Sequence, residues 1–91
     1  MAWIVELHPA AEEQLAKLVR KDRVMAERIT ATLREVQQSG QPRSRGKGLT
    51  GQLAGLWANR VGTWRIIADI QATRCVVLAL DMGQRSVIYQ R

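Results

Sequence analysis

Two arginines, Arg60 and Arg65, flank a Gly62-Thr63 pair in the segment Trp57-Ala58-Asn59-Arg60-Val61-Gly62-Thr63-Trp64-Arg65-Ile66. Glycine at the first central position is what a two-residue type II′ hairpin turn requires, because that position has positive φ. In this register Val61 faces Trp64 and Arg60 faces Arg65. Directly opposed side chains share a sheet face with Cβ atoms about 5 Å apart, where like charges repel. Selection for stability alone disfavours that arrangement, whereas an anion seated between two guanidinium groups removes the conflict. Guanidinium forks match phosphoryl oxygens bidentately, so the chemistry on offer is phosphate binding and charge stabilisation. Towards the C-terminus, Gly83, Arg85 and Tyr89 stand in a terminal run that can pair back onto the sheet, and Tyr89 is the only tyrosine.

Charge distribution points the same way. Residues 1–40 carry six Lys/Arg and six Asp/Glu, whereas residues 41–91 carry eight (Arg43, Arg45, Lys47, Arg60, Arg65, Arg74, Arg85, Arg91) against Asp69 and Asp81. The whole net charge of +6 therefore lies in the second half, and seven of its eight cations are arginine. An Arg-weighted basic half implies a polyanionic partner, nucleic acid before others; the alternative is a solvated basic surface kept for solubility. The one histidine, His8, and the one cysteine, Cys75, belong to no ligand cluster, so neither a metal nor another cofactor is expected. Cys75 opens the apolar run Cys75-Val76-Val77-Leu78-Ala79-Leu80 and reads as a small buried hydrophobe. A lone cysteine, no signal peptide and no membrane-length apolar run together predict a cytoplasmic protein that does not engage a membrane.

The elements that must position these residues are legible in outline. At 91 residues with 46% apolar content, the chain is long enough for one modest core, and residues 1–91 are expected to form a single domain. Residues 2–7 alternate around Trp3, Val5 and Leu7 as a first strand. Pro9 suits the first turn of a helix, with Glu12 and Glu13 at the positive end of its dipole and Ala11, Leu15, Leu18 and Val19 on its apolar face. Asp22 is the expected N-cap of a second helix carrying Met25, Ile29, Leu33 and Val36, and Gly40 ends it. Residues 40–52, rich in Gly and basic side chains, read as an exposed loop. Strands follow at 56–61, 64–70 and 74–80, then a turn at Asp81-Met82-Gly83-Gln84 and a short run from Ser86 to Tyr89. The expected order is β-α-α-β-β-β(-β): an α+β fold with a curved antiparallel sheet and a two-helix hairpin packed on one face. The hairpin register sends Trp57, Val61, Trp64, Ile66 and Ala68 towards the helices and leaves the arginine face open.

Taken together, these pieces resemble the RelE/ParE toxin superfamily over nearly the whole chain. The resemblance is carried by Pro-Ala-Ala-Glu-Glu-Gln-Leu-Ala-Lys-Leu opening the first helix, the Lys47 to Gly51 loop, Gly-Leu-Trp-x-x-Arg-Val-Gly-x-Trp-Arg-Ile-Ile, and Gly-x-Arg-x-x-x-Tyr at the end. No single piece is specific; their order and spacing are. The resemblance implies the toxin of a type II toxin–antitoxin system, of the RelE type: a metal-independent endoribonuclease that cleaves mRNA in the ribosomal A site and stops translation. By position it implies that Arg60, Arg65, Arg85 and Tyr89 surround the scissile phosphate. Arg43, Arg45, Lys47, Arg74 and Arg91 are the remaining candidates for RNA or ribosome contact. The implied partners are an acidic RelB-like antitoxin, the ribosome and its mRNA, with operator DNA bound only through the antitoxin complex. One position departs from the pattern. Where the family prototype carries a second basic residue, two before Arg60, this chain has Ala58, which leaves the general base unassigned, and Lys47 lies in the loop rather than in that strand. Some relatives carry a helix after the tyrosine; this chain ends at Arg91, so inhibition by displacing such a helix is not expected. Two other readings compete: a ParE-like gyrase inhibitor, and a non-catalytic module that binds nucleic acid or a protein partner.

Overall fold

A computed structural model describes residues 3–84. Strand β1 (Ile4–Leu7) leads into helices α1 (Pro9–Lys21) and α2 (Arg23–Ser39), followed by β2 (Lys47–Gly48), β3 (Trp57–Val61), β4 (Trp64–Gln71) and β5 (Val76–Gln84). Local chemistry fixes the helix ends. The His8 side chain accepts from the Ala10 amide at 3.2 Å, with Pro9 in the first turn, where its missing N–H costs nothing. Asp22 serves both helices: its N–H donates to the Leu18 carbonyl at 2.7 Å, and its carboxylate accepts from the Met25 amide at 3.1 Å. Gly40 stops α2 in the left-handed conformation, at φ 67°.

The helices cover one face of the sheet. Ala11, Leu18, Ala26 and Ile29 pack against Val61, Ile66, Ala79 and Met82, and Val36 closes a second cluster with Ala68 and Val77. Val19, expected on this apolar face, is instead 43% exposed, because the stripe of α1 that meets the sheet is centred on Ala11 and Leu18.

The α+β class and the two-helix layer stand as expected, and the sheet is mixed rather than antiparallel throughout. Strand order is β1-β5-β4-β3-β2; β1 runs parallel to β5, with Ile4 opposite Val76 and Leu7 opposite Ala79. The helical hairpin carries the chain from β1 across the sheet, so that β1 fills the remaining edge of the last strand. β5 is thus paired along both of its edges.

Two further expectations change. Residues 81–84 continue β5 instead of turning. The register steps from Ile67–Asp81 to Ala68–Ala79, leaving Leu80 as an extra residue, a β-bulge. The bulge swaps faces, which delivers Met82 into the core opposite Ile66 and sets Gly83 opposite Arg65. Cys75 lies in the turn before β5, half-buried, with φ 53° and its thiol 3.8 Å from the Ala72 carbonyl. The expected run from Ser86 to Tyr89 lies outside the described residues.

Candidate nucleic-acid interface

The β3–β4 hairpin forms in the expected register: Val61 faces Trp64, Arg60 faces Arg65 and Trp57 faces Ala68. Gly62 takes φ 58°, as the turn demands. The face turned away from the helices carries two rows of side chains. In one row Lys47, Ala58, Ile67 and Asp81 lie side by side across β2, β3, β4 and β5; in the next, Arg60, Arg65 and Gly83 do so. Rows two residues apart are separated by about 7 Å, within the reach of long basic side chains.

That face is only partly open. Leu49 and Leu56 fold over Ala58 and Ile67 and bury them, and Arg65 is 6% exposed. Arg60, on the free stretch of β3 beyond its pairing with β2, is exposed. Arg60 and Arg65 thus share a register but not an environment, one facing solvent and the other held inside. Gly83 adds no side chain beside Arg65.

The loop before β3 is built to close tightly. Gly46, at φ 77°, passes so near β3 that a Cβ there would overlap the Ala58 carbonyl oxygen. The Trp57 indole N–H donates to the Arg45 carbonyl at 2.6 Å. These contacts make a strand of Lys47–Gly48, where a loop was expected, and bring Lys47 opposite Ala58. The sequence signal for this was Gly46-Lys47-Gly48: glycines on both sides of a basic residue allow the close approach. Asp81 is the other functional type that sequence reasoning missed, because Asp-Met-Gly-Gln reads as a turn until the bulge is known.

The remaining candidates divide. Arg45 turns to α2 and pairs with Glu35. Arg43, exposed in the short turn Pro42–Ser44, lines a separate depression with Leu49, Leu56, Trp57 and Ile70. Arg74 sits past the far end of β4, where it contacts Glu6 at 3.6 Å and Gln71 at 2.6 Å, so it does not join the Arg60–Arg65 pair. Arg85, Tyr89 and Arg91 lie outside the described residues. Among those described, no group of three or more His, Cys, Asp or Glu could hold a metal ion, and no helix is long and apolar enough to cross a membrane.

A two-helix layer on a five-stranded mixed sheet, with a lysine and two arginines on the sheet's other face, defines the class: a small α+β protein of the RelE-like fold. Residues 5–87 match the family described as the ParE toxin of type II toxin–antitoxin systems, parDE, and the chain belongs to that family. It is a toxin of the RelE/ParE superfamily. Among solved structures, the Mycobacterium tuberculosis RelBE2 toxin–antitoxin complex is 27% identical, covering 93% of this chain and 100% of that one with a TM-score of 0.70. The free Escherichia coli toxin RelE, in a double Arg→Ala form, is 18% identical over 98% of this chain and 90% of that one, with a TM-score of 0.74. The RelE–RelB complex of Pyrococcus horikoshii is 21% identical over 96% and 99%, at 0.71; these last two likenesses concern the fold alone. A search of curated protein sequences finds no match.

Proposed function

We propose that this toxin is a ribosome-dependent endoribonuclease that cleaves mRNA in the A site and is neutralised by an acidic, RelB-like antitoxin. The observation that supports this most is the placing of Lys47, Arg60 and Arg65 on one sheet face, in adjacent rows at the β3–β4 hairpin. A phosphodiester held there meets positive charge from three strands. The ribose 2′-hydroxyl attacks the adjacent phosphorus, the bond to the 5′-oxygen breaks, and the products are a 2′,3′-cyclic phosphate and a 5′-hydroxyl. The proton lost by the 2′-hydroxyl passes to solvent or a base, and the leaving oxygen gains one. The enzyme's part is to fix the in-line geometry and stabilise the charge that grows on the phosphoryl oxygens. Arg60 is placed to receive the phosphate, and the buried Arg65, held by its surroundings, needs little reorganisation to support it. Arginine does not give up its proton readily, so it stabilises charge rather than accepting the 2′ proton. Lys47 provides from β2 the second basic group that Ala58 does not. Arg85 and Tyr89, by their resemblance to the family pattern, complete the site; the tyrosine either stacks on a base or shares in proton transfer.

The match to the ParE family favours one other reading, inhibition of DNA gyrase. A single experiment separates them. Purified toxin is added to ribosomes translating a defined mRNA, and in parallel to gyrase with relaxed plasmid. Site-specific mRNA breaks bearing 2′,3′-cyclic phosphate ends support the nuclease; intact mRNA with blocked supercoiling would replace it with the gyrase reading.

A further inference from the structure

At the edge of β3, away from the Lys47 row, α2 and the hairpin enclose a groove of about 280 Å³ whose lining includes Arg28, Glu35, Arg45 and Arg60. Three guanidinium groups enter it from three elements: Arg28 from α2, Arg45 from the loop and Arg60 from β3. Glu35 is its one carboxylate and is already engaged by Arg45. Among the described residues, neither Arg28 nor Arg60 has a carboxylate within ion-pair distance. Both nevertheless converge on the same turn. A Cβ at Gly62 would lie 3.3 Å from an Arg28 guanidinium nitrogen, and the Arg60 Nε is 3.5 Å from the Gly62 carbonyl oxygen. Two unneutralised cations beside the same glycine repel each other, and a bound anion offsets that cost.

We infer that this groove is a second phosphate site, which takes the phosphodiester backbone of a nucleic-acid strand where it leaves the sheet face. Arg60 belongs to both places, facing Arg65 across the hairpin and lining the groove. A strand gripped at the hairpin therefore runs directly onto Arg28 and Arg45. The floor of Ala31, Val61 and Gly62 offers little to read a base but gives a sugar–phosphate chain room to approach, and planar guanidinium forks suit phosphate oxygens. The inference rests on the nucleic-acid part of the reading above and adds Arg28, a residue on the helical layer, to the binding surface.

The test is the binding of a short fluorescent 2′-O-methyl RNA strand, which cannot be cleaved, followed by anisotropy across a salt series. Arg28→Ala should weaken binding roughly tenfold at low salt and reduce the slope of log affinity against log salt by about 0.7, the loss of one phosphate contact on a single strand. Arg28→Lys should keep most of the slope. Arg20→Ala, an exposed arginine in the last turn of α1, should change neither. Circular dichroism melts confirm that Arg28, being exposed, has been removed without unfolding the chain. An Arg28→Ala protein that binds RNA as the Arg20→Ala protein does would overturn the site. So would loss of poly-glutamate binding with RNA binding intact, which would make it a carboxylate site. A lowered salt slope in a protein that cuts no mRNA sustains the groove and removes the nuclease; cleavage with an unchanged slope does the reverse.

Discussion

Lys47 stands directly opposite Ala58 across the β2–β3 pair. Opposed Cβ atoms in such a pair are about 5 Å apart, so Lys47 brings positive charge to the face on which β3 itself carries an alanine. Lys47 is exposed, and its truncation leaves no cavity. Lys47→Ala should therefore lower mRNA cleavage at least tenfold with the melting temperature unchanged, and Lys47→Arg should restore most of it if positive charge is what matters. Single-turnover cleavage on programmed ribosomes measures this; full activity in Lys47→Ala would take the residue out of the site.

Arg60 and Arg65 should separate in a way their shared register hides. Arg60→Ala removes an exposed side chain, so stability should stay within about 0.5 kcal/mol while cleavage is lost. Arg65→Ala empties a buried position, so unfolding should become easier by about 1–3 kcal/mol. For a chain of this size that is a drop of about 4–20 °C in Tm. Thermal melts of both proteins beside their cleavage rates make the comparison. Equal Tm for the two would mean that Arg65 is not held as the structure has it.

What was legible in the sequence follows from how local each signal was. The helix ends were readable because Pro9, Asp22 and Gly40 act on their own backbone, and Gly62-Thr63 fixed the Arg60–Arg65 register for the same reason. The parallel β1–β5 pairing joins residues more than 70 positions apart, and no local chemistry encodes it. The Leu80 bulge is likewise a property of two strands at once, so Asp81 and Gly83 were assigned to a turn by their type. The burial of Ala58 and Ile67 and the strand at Lys47 depend on Leu49, Leu56 and Gly46 folding onto β3, a tertiary event with only the two flanking glycines to hint at it.

Gly46 should be the least replaceable glycine of the loop. Its φ is 77°, and atoms of Ala58, Asn59 and Trp57 lie inside 3 Å of the place a methyl group would take. Alanine there meets backbone that cannot yield, besides a left-handed strain of about 1 kcal/mol or more. Gly46→Ala should lift the loop off β3, expose Trp57 to solvent and displace Lys47 and Arg45 together. Tryptophan emission should shift to the red and cleavage should fall. Gly40→Ala is the control: nothing lies within 4 Å of its Cβ position, so only the strain of φ 67° applies and activity should persist. A Gly46→Ala protein as stable and active as the Gly40→Ala protein would contradict the close approach.

Arg85 and Tyr89 test the chemistry itself. Gly83 faces Arg65, and Arg85 follows Gly83 by two residues in the sequence. If Arg85 meets charge that develops only as the phosphorus is attacked, Arg85→Ala should lower the cleavage rate by orders of magnitude with ribosome affinity nearly unchanged, since an interaction confined to the transition state affects the rate and not the binding. Tyr89→Phe divides the two roles open to the tyrosine. Near-full activity means that the ring stacks on a base, and a large loss means that the hydroxyl moves a proton. If both variants arrest growth as the wild type does, cleavage is not the toxic act, and the gyrase assay becomes the one that decides.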